Sequence, residues 1–284
     1  MEWIKRLNDT IDYIEAHLVE EPDYNKLSQI AGCSVYHYQR MFAYIAGVTL
    51  SEYIRRRRMS LAAVDLLAGE KVIDVALKYG YQSPTAFTRA FQTIHGITPS
   101  AVKMAGVTVK SFPPLRFHIM VKGAAEMNYR IEKKDAFRII GKSWPLTQDM
   151  EQNFATVPLM WQEAGMSGLI PRLVETISKE PLGILGFCGG TTDENWRYWI
   201  AVSSDAPAVD GLEETIVPAF TWAIFTGEGE CPQAIQELEQ RIVTEWLPTS
   251  GYEYDNGPDI EVYLEPNPQN SRFEVWIPVV KANK

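Results

Sequence analysis

The segment from Ser83 to Pro99 combines an apolar stripe with a row of side chains that can hydrogen-bond to nucleic acid. Its apolar residues recur at i, i+3, i+4 and i+7, the spacing of one helix face, and are Phe87, Ala90, Phe91 and Ile94. The opposite face presents hydroxyl, guanidinium and amide groups at Thr85, Thr88, Arg89 and Gln92. Such groups bind base edges and phosphate oxygens. Ser83 can cap this helix and Pro84 suits its first turn, so the pattern predicts a DNA-reading helix.

An earlier segment repeats this pattern position for position. The spacing of Ser83, Phe87, Arg89 and Phe91 recurs at Ser34, Tyr38, Arg40 and Phe42, and Gly47-Val48-Thr49 matches Gly96-Ile97-Thr98. In this copy we expect Tyr38, Met41, Phe42 and Ile45 to be buried, and Tyr36, His37, Arg40 and Tyr44 to face out. Each copy follows a shorter helix and a glycine-containing turn, which predicts helix-turn-helix units at about 24–46 and 72–95. A plain helical bundle is the alternative, but it does not require the whole pattern to be duplicated.

A central helix is predicted between these units, from Ser51 to Ala68. At 1.5 Å per residue it is about 27 Å long, enough to hold two recognition helices near the ~34 Å of one DNA turn. Its arginines Arg55 to Arg58 sweep around the axis, so one or two can reach phosphate while the others pair with acidic groups or bury their stems. The predicted DNA-contacting residues are Tyr36, His37, Gln39, Arg40, Arg55, Thr85, Thr88, Arg89 and Gln92.

Residues 1–106 resemble the DNA-binding domain of AraC/XylS-type transcription regulators. The residues that carry the resemblance are Ile73, Val75, Ala76, Gly80, Tyr81, Ser83, Phe91, Gly96, Thr98 and Pro99. The resemblance implies an all-α, double helix-turn-helix domain. Its two recognition helices would be held by a central helix and would enter successive major-groove turns on one side of double-stranded DNA.

The C-terminal half combines aromatic rings with carboxylates on predicted strands. The chain has eight tryptophans, and aromatic faces attract cations. Strand alternation places Glu261 and Tyr263 on one face, where a carboxylate among aromatic rings would have a raised pKa unless a cation paired with it. Any single tryptophan is better explained as a core residue, whereas the group as a whole favours at least two that line a pocket, and Glu261 is explained equally well as a surface glutamate. The predicted ligand-binding residues are Trp144, Trp161, Trp196, Tyr198, Trp222, Glu261, Tyr263 and Trp276.

The helix and strand patterns after a predicted linker at 107–126 occur twice. Residues 196–202 align with 273–279, and Trp161 and Trp246 occupy comparable helix positions, which predicts an α+β domain of two β-α-β-β repeats with a ligand groove between them. This domain, residues 127–284, resembles the GyrI-like effector-binding domain. The segments that carry the resemblance are 139–141, Pro158 to Trp161, 246–252, 261–263 and 274–278. The resemblance implies a groove for organic, often cationic ligands, with aromatic walls and a buried glutamate at the position of Glu261.

The formal net charge of −9 is distributed unevenly along the chain. Residues 1–106 have twelve basic and eleven acidic side chains, and residues 107–284 have fifteen basic and twenty-five acidic side chains, so we do not expect the second part to touch phosphate.

Three dispersed cysteines and the absence of a signal-peptide pattern or a long apolar run point to the cytoplasm and away from membranes. No phosphate-binding loop, dinucleotide glycine pattern or His/Cys ligand cluster is present, so we expect no cofactor, no metal and no enzymatic activity.

These patterns together predict a cytoplasmic, ligand-responsive transcription regulator. Its expected partners are double-stranded DNA, a small hydrophobic or cationic organic molecule, and RNA polymerase. Two alternatives stay open for the C-terminal domain: hydrolysis or sequestration of that small molecule, or ligand-independent contact with other proteins. Fusion to a DNA-binding domain favours regulation over catalysis.

Overall fold

The computed structural model describes residues 2–118, 126–189, 196–208, 211–265 and 269–282. Contacts group these residues into two compact units. The first, here called the helical unit, contains residues 2–31 and 46–118. The second, here called the sheet unit, contains residues 32–45 and the described residues from 126 onward. The predicted domain boundaries at 106 and 127 stay predictions.

The helical unit is built from short helices around one apolar core. Its helices are α1 (Glu2–Ala16), α2 (Tyr24–Ala31), α4 (Leu50–Ala68), α5 (Val72–Lys78), α6 (Pro84–His95) and a 3₁₀ turn (Pro99–Lys103). The predicted stripe of α6 is confirmed at Phe87, Phe91 and Ile94, which are buried in a core shared with α4 and α5. Thr49 caps α4 by accepting a hydrogen bond from the Glu52 amide. Ser83 occupies the N-cap position of α6 but makes no side-chain capping bond.

Residues 107–118, the described part of the predicted linker, form no strand. Side chains of the helical unit bind this segment instead. The amides of Phe112, Leu115 and Phe117 donate to Ser60, Tyr53 and Asn8, at 2.9, 3.3 and 2.9 Å. Because these bonds satisfy the extended backbone, the segment follows the surface of the unit without a neighbouring strand. Residues 119–125 of the predicted linker lie outside the described residues.

The sheet unit contains an antiparallel sheet and four helices. Its helices are α3 (Val35–Ala46, whose last residue is grouped with the helical unit), α7 (Met150–Met166), α8 (Leu169–Val174) and α9 (Gln233–Arg241), which continues into a π-helical turn (Ile242–Trp246). Its strands are β1 (Tyr129–Lys134), β2 (Phe137–Pro145), β3 (Ile184–Gly189), β4 (Arg197–Ser203), β5 (Glu213–Val217), β6 (Phe220–Gly229), β7 (Tyr252–Tyr254), β8 (Ile260–Tyr263) and β9 (Ser271–Lys281). The strand order is β1-β6-β9-β8-β3-β4-β2-β5, and β7 pairs with β9.

The strand order is symmetric about its central pair, and the two halves correspond to the two sequence repeats. Strands β1, β2, β3 and β4 of the first repeat correspond to β5, β6, β8 and β9 of the second, and the central pair β3–β8 joins the repeats. The predicted two-repeat α+β architecture is confirmed, with one further strand at the start of each repeat. Strand β5 was not predicted from the sequence, because it is a short edge strand that starts with two exposed glutamates.

Alternation along the strands divides the sheet into two faces. One, here called the tryptophan face, buries Trp199, Trp222, Trp276, Ile260 and Val262. The other, here called the cavity face, packs Tyr198, Ile200 and Ile184 against α7 and α8. Successive strand residues point to opposite faces, so Glu261 and Tyr263 lie on the cavity face. Among the helices that the structure describes, none is long and apolar enough to cross a membrane.

Candidate DNA-reading helices and ligand cavity

The second predicted recognition helix, α6, presents its polar face to solvent. Thr85, Arg89 and Gln92 are exposed and Thr88 is half-buried, while the apolar stripe faces the core. Pro84 begins the helix, and Gly96 ends it in the left-handed conformation with φ +77°. These side chains are therefore free to meet base edges, as the sequence pattern predicts.

The first predicted recognition helix, α3, does not expose its polar face. The prediction that Tyr36, His37 and Arg40 face out is wrong, because residues of the sheet unit cover them. Arg40 is only 6% exposed, His37 and Gln39 are buried as well, and Tyr36 and Tyr44 are half-buried. Helical periodicity had shown which side chains share a face; it could not show that another surface packs on that face.

Arg40 pairs with three carboxylates that lie far from it in sequence. Its Nη2 donates to Glu239 on α9 and approaches Oε1 of Glu261 at 3.4 Å, and its Nη1 approaches Oδ2 of Asp259 at 3.4 Å. The Nε donates to the Tyr44 hydroxyl at 3.1 Å, and that hydroxyl donates to Glu239 at 2.5 Å. All three nitrogens of the guanidinium are thus engaged.

The neighbouring residues of α3 extend this contact. His37 lies 3.3 Å from Oδ2 of Asp259, and its ring packs on Tyr254 with centroids 3.7 Å apart. The Tyr36 hydroxyl lies 2.9 Å from Sγ of Cys188. Burial alone would raise the pKa of Asp259, but its contacts with His37 and Arg40 lower the pKa below its ordinary value.

A cavity of about 690 Å³ opens over the cavity face of the sheet, a size suited to a small organic ligand. Helices α7 and α8 form one wall, the start of α9 forms another, and α3 contributes Tyr36, Arg40 and Tyr44. Its apolar and aromatic lining includes Phe154, Val157, Pro158, Trp161, Ile170, Ile184 and Ile235.

Glu261 lies on the floor of this cavity within a chain of hydrogen bonds. The Tyr263 hydroxyl donates to Oε2 at 2.9 Å, and Trp161 Nε1 donates to the Tyr198 hydroxyl at 2.8 Å. Gly186 pairs directly with Glu261 across β3 and β8. A Cβ at Gly186 would lie 2.6 Å from the Tyr198 hydroxyl and 2.8 Å from Oε2 of Glu261, so glycine makes room for both groups.

Burial sets the protonation of these groups. It raises the pKa of Glu261, and the Arg40 guanidinium and the tyrosine hydroxyls offset that rise only in part. Burial and the Glu261 charge raise the pKa of Tyr198 and Tyr263 well above the usual range, so both remain hydrogen-bond donors. Burial also raises the pKa of the Cys188 thiol to about 12, so at neutral pH it is not a thiolate nucleophile.

Known proteins resemble both parts of the chain. A family described as integron-associated effector binding protein matches residues 130–279, and a helix-turn-helix domain matches residues 27–105. Over 249 residues the chain is 35% identical to the uncharacterized HTH-type transcriptional regulator YbfP of Bacillus subtilis (strain 168), spanning 73% of this chain and 80% of that protein. It is 36% identical to the regulatory protein SoxS of Escherichia coli (strain K12) over 97 residues, 34% of this chain and 91% of SoxS.

The chain belongs to the AraC family of transcription regulators. It joins an AraC-type helix-turn-helix region to a GyrI-like effector-binding domain. Its relatives are transcription regulators rather than enzymes, so regulation through DNA is the function of this AraC-family chain.

Solved structures resemble the effector-binding part. A putative bacterial transcription regulation protein from Staphylococcus aureus MU50 covers 54% of this chain and 99% of its own length, at 20% identity and a TM-score of 0.49. The structure of SAV2435 bound to tetraphenylphosphonium covers 54% and 94%, at 21% identity and a TM-score of 0.47.

Four of the eight predicted ligand residues of this AraC-family chain line the cavity: Trp161, Tyr198, Glu261 and Tyr263. The other four do not. Trp222 and Trp276 pack together on the tryptophan face, with centroids 5.7 Å apart, and Trp222 is 0% exposed. Trp144 donates to Glu163 at 3.3 Å, and Trp196 packs edge-on against Tyr36. Strand alternation divides aromatic residues between two faces, but only the tertiary packing shows which face borders the cavity.

Three residues that were not predicted from the sequence position Arg40 or Glu261: Glu239, Asp259 and Gly186. Glu239 continues the apolar spacing of Ile235, Leu238 and Ile242 on α9, so a carboxylate on a buried helix face was a recognisable signal. Asp259 lies just before β8 and two residues before Glu261, so strand alternation places both carboxylates on one face. Gly186 interrupts a buried strand, which indicates a close approach of other groups.

The predicted phosphate contact at Arg55 lies on α4. Arg55 and Arg56 both pair with Glu52, the latter at 2.6 Å, while Arg57 pairs with Glu15 at 2.7 Å. Arg58 donates to the Leu18 carbonyl at 2.6 Å. Arg55 and Arg56 thus share one partner, whereas Arg57 and Arg58 reach others, as expected for residues that sweep around the helix axis. The Arg55 side chain is 43% exposed and remains our candidate for phosphate.

Proposed function

We propose that this regulator senses a small lipophilic cation in the cavity of its sheet unit and reads DNA bases with α6. The observation that carries the ligand proposal is Glu261, a carboxylate on the floor of an aromatic-lined cavity. Glu261 shares the Arg40 guanidinium with Glu239 and Asp259, so a cation in the cavity would add positive charge beside a buried carboxylate. Trp161, Tyr198 and Tyr263 surround Glu261 with rings whose faces attract the same charge.

Tetraphenylphosphonium and tetraphenylborate are a suitable pair of probes, because they have the same four phenyl groups and opposite charges. Calorimetry on the full chain should show binding of the cation and no binding of the anion. Glu261→Gln should weaken cation binding about ten-fold or more, because the neutral amide no longer attracts the cation, and a pair of unit charges about 4 Å apart contributes about 4 kcal/mol at an effective dielectric constant of about 20.

Glu274→Gln provides the matched control. Glu274 is a half-buried carboxylate paired with Arg130 at 2.8 Å on the other face of the sheet, so its loss should leave cation affinity unchanged. Equal affinity for the cation and the anion, or an unchanged affinity in Glu261→Gln, would show that the cavity does not select positive charge through Glu261.

A further inference from the structure

Arg40 belongs to two functional parts of the molecule. It occupies the position in α3 that Arg89 occupies in α6, and it also lines the ligand cavity and contacts Glu261. While its guanidinium is held by Glu239, Asp259 and Glu261, it cannot donate to a base or a phosphate. The arrangement thus presents one recognition helix to solvent and withholds the other.

A cation next to Glu261 would meet Arg40 in the same cavity. The two positive groups would share one carboxylate in a poorly solvated site, where like charges repel strongly. The 3.4 Å contact to Glu261 is one of the bonds that hold α3, so its loss would weaken the docking of the helix. Binding of the cation and docking of α3 therefore oppose each other.

We propose that Arg40 is an internal competitor for the cation site, and that a bound cation releases α3 so that it can read DNA. This inference rests on the proposed function, because it requires that the cavity bind a cation. By linkage, a cation that favours the released helix raises DNA affinity, and DNA that captures the released helix raises cation affinity by the same factor.

Glu239 allows the docking of α3 to be tested without replacing a residue that lines the cavity. Its carboxylate binds Arg40 and Tyr44, and it does not line the 690 Å³ cavity. In Glu239→Gln the helix should be released more often, so DNA affinity without ligand should rise about ten-fold. The increase caused by tetraphenylphosphonium should be correspondingly smaller than in the wild type. Glu274→Gln should behave as the wild type in both measurements.

The binding assay uses the full chain and a duplex selected by the wild-type protein from a random pool. Affinity is measured at fixed salt with and without tetraphenylphosphonium. Should Glu239→Gln fail to fold, Gln240→Ala replaces it: this exposed side chain donates to the Tyr44 carbonyl at 3.1 Å, so its loss removes only a contact to α3. A smaller increase of DNA affinity is expected from that variant.

Cys188 reports the position of α3 directly. The Tyr36 hydroxyl of α3 contacts this half-buried thiol at 2.9 Å, so brief treatment with N-ethylmaleimide should label Cys188 more slowly in the wild type than in Glu239→Gln. Mass spectrometry of the peptide that contains Cys188 gives the rate, and Glu274→Gln should match the wild type.

The outcomes separate the two proposals. If tetraphenylphosphonium does not bind the wild type, the proposed function fails, while DNA affinity and labelling in Glu239→Gln still test the docking of α3. If the cation binds but lowers or does not change DNA affinity, the competition is refuted. Unchanged DNA affinity and unchanged Cys188 labelling in Glu239→Gln, or in Gln240→Ala where it replaces that variant, would refute the inference and leave the ligand proposal intact.

Discussion

Gly186→Ala tests whether the floor of the cavity depends on the close pairing of Tyr198 and Glu261. The new Cβ would lie 2.6 Å from the Tyr198 hydroxyl, 2.8 Å from Oε2 of Glu261 and 3.4 Å from Trp161. The first two distances are shorter than any relaxed contact, so both polar groups must move. Insertion of a methyl group into a packed site typically costs about 1–3 kcal/mol of stability.

Ligand affinity should fall more than the size of the methyl group suggests. Displacement of the Glu261 carboxylate lengthens its distance to the cation, and at an effective dielectric constant of about 20 an increase from about 4 to about 6 Å loses roughly 1.4 kcal/mol, or about ten-fold in cation affinity. Calorimetry with tetraphenylphosphonium measures that loss, and thermal denaturation measures the accompanying change in stability.

Gly165→Ala is the matched substitution within the same cavity lining. Gly165 lies in α7, where a Cβ would meet nothing within 4 Å. Alanine there should bind the cation as the wild type does and gain about 0.5–1 kcal/mol of stability, because glycine is unfavourable inside a helix. If a folded Gly186→Ala protein binds the cation as tightly as Gly165→Ala does, the pairing at the floor of the cavity does not hold the ligand.

Two further predictions concern the helical unit. Arg89→Ala should weaken binding to the selected duplex by about 1–3 kcal/mol and relax sequence preference in one half of the site, which a panel of point-substituted duplexes will measure; unchanged affinity at fixed salt would refute base reading by α6. Burial lowers the pKa of His95, whose Nδ1 accepts from the Lys110 amide at 3.1 Å while Nε2 donates to the Met59 carbonyl at 3.0 Å. The neutral ring therefore adds stability above the unfolded histidine pKa of about 6.5, and this stability is lost as pH falls through the lower folded value. Chemical denaturation between pH 7.5 and 5 should show a smaller loss in His95→Gln than in the wild type, and parallel curves would contradict this assignment.

Local periodicity was sufficient to predict most of the secondary structure. Three of the four residues predicted for the stripe of α6, Phe87, Phe91 and Ile94, are buried, and α6 begins at Pro84, directly after Ser83. In the sheet unit, the predicted pairing of Glu261 with Tyr263 on one face is confirmed by their hydrogen bond. These features follow from the repeat of 3.6 residues in a helix and two in a strand, which the order of apolar and polar residues reveals directly.

The sequence by itself therefore determined two duplicated motifs, one for DNA and one for a two-repeat sheet, since each depends on residues close together along the chain. Only the tertiary structure decided which strand face borders the cavity and that Arg40 of α3 is buried among carboxylates. Glu239 and Glu261 are separated from Arg40 by 199 and 221 positions, and no local pattern relates such distant residues. Their meeting depends on complementary shape and charge between surfaces that exist only after the chain has folded.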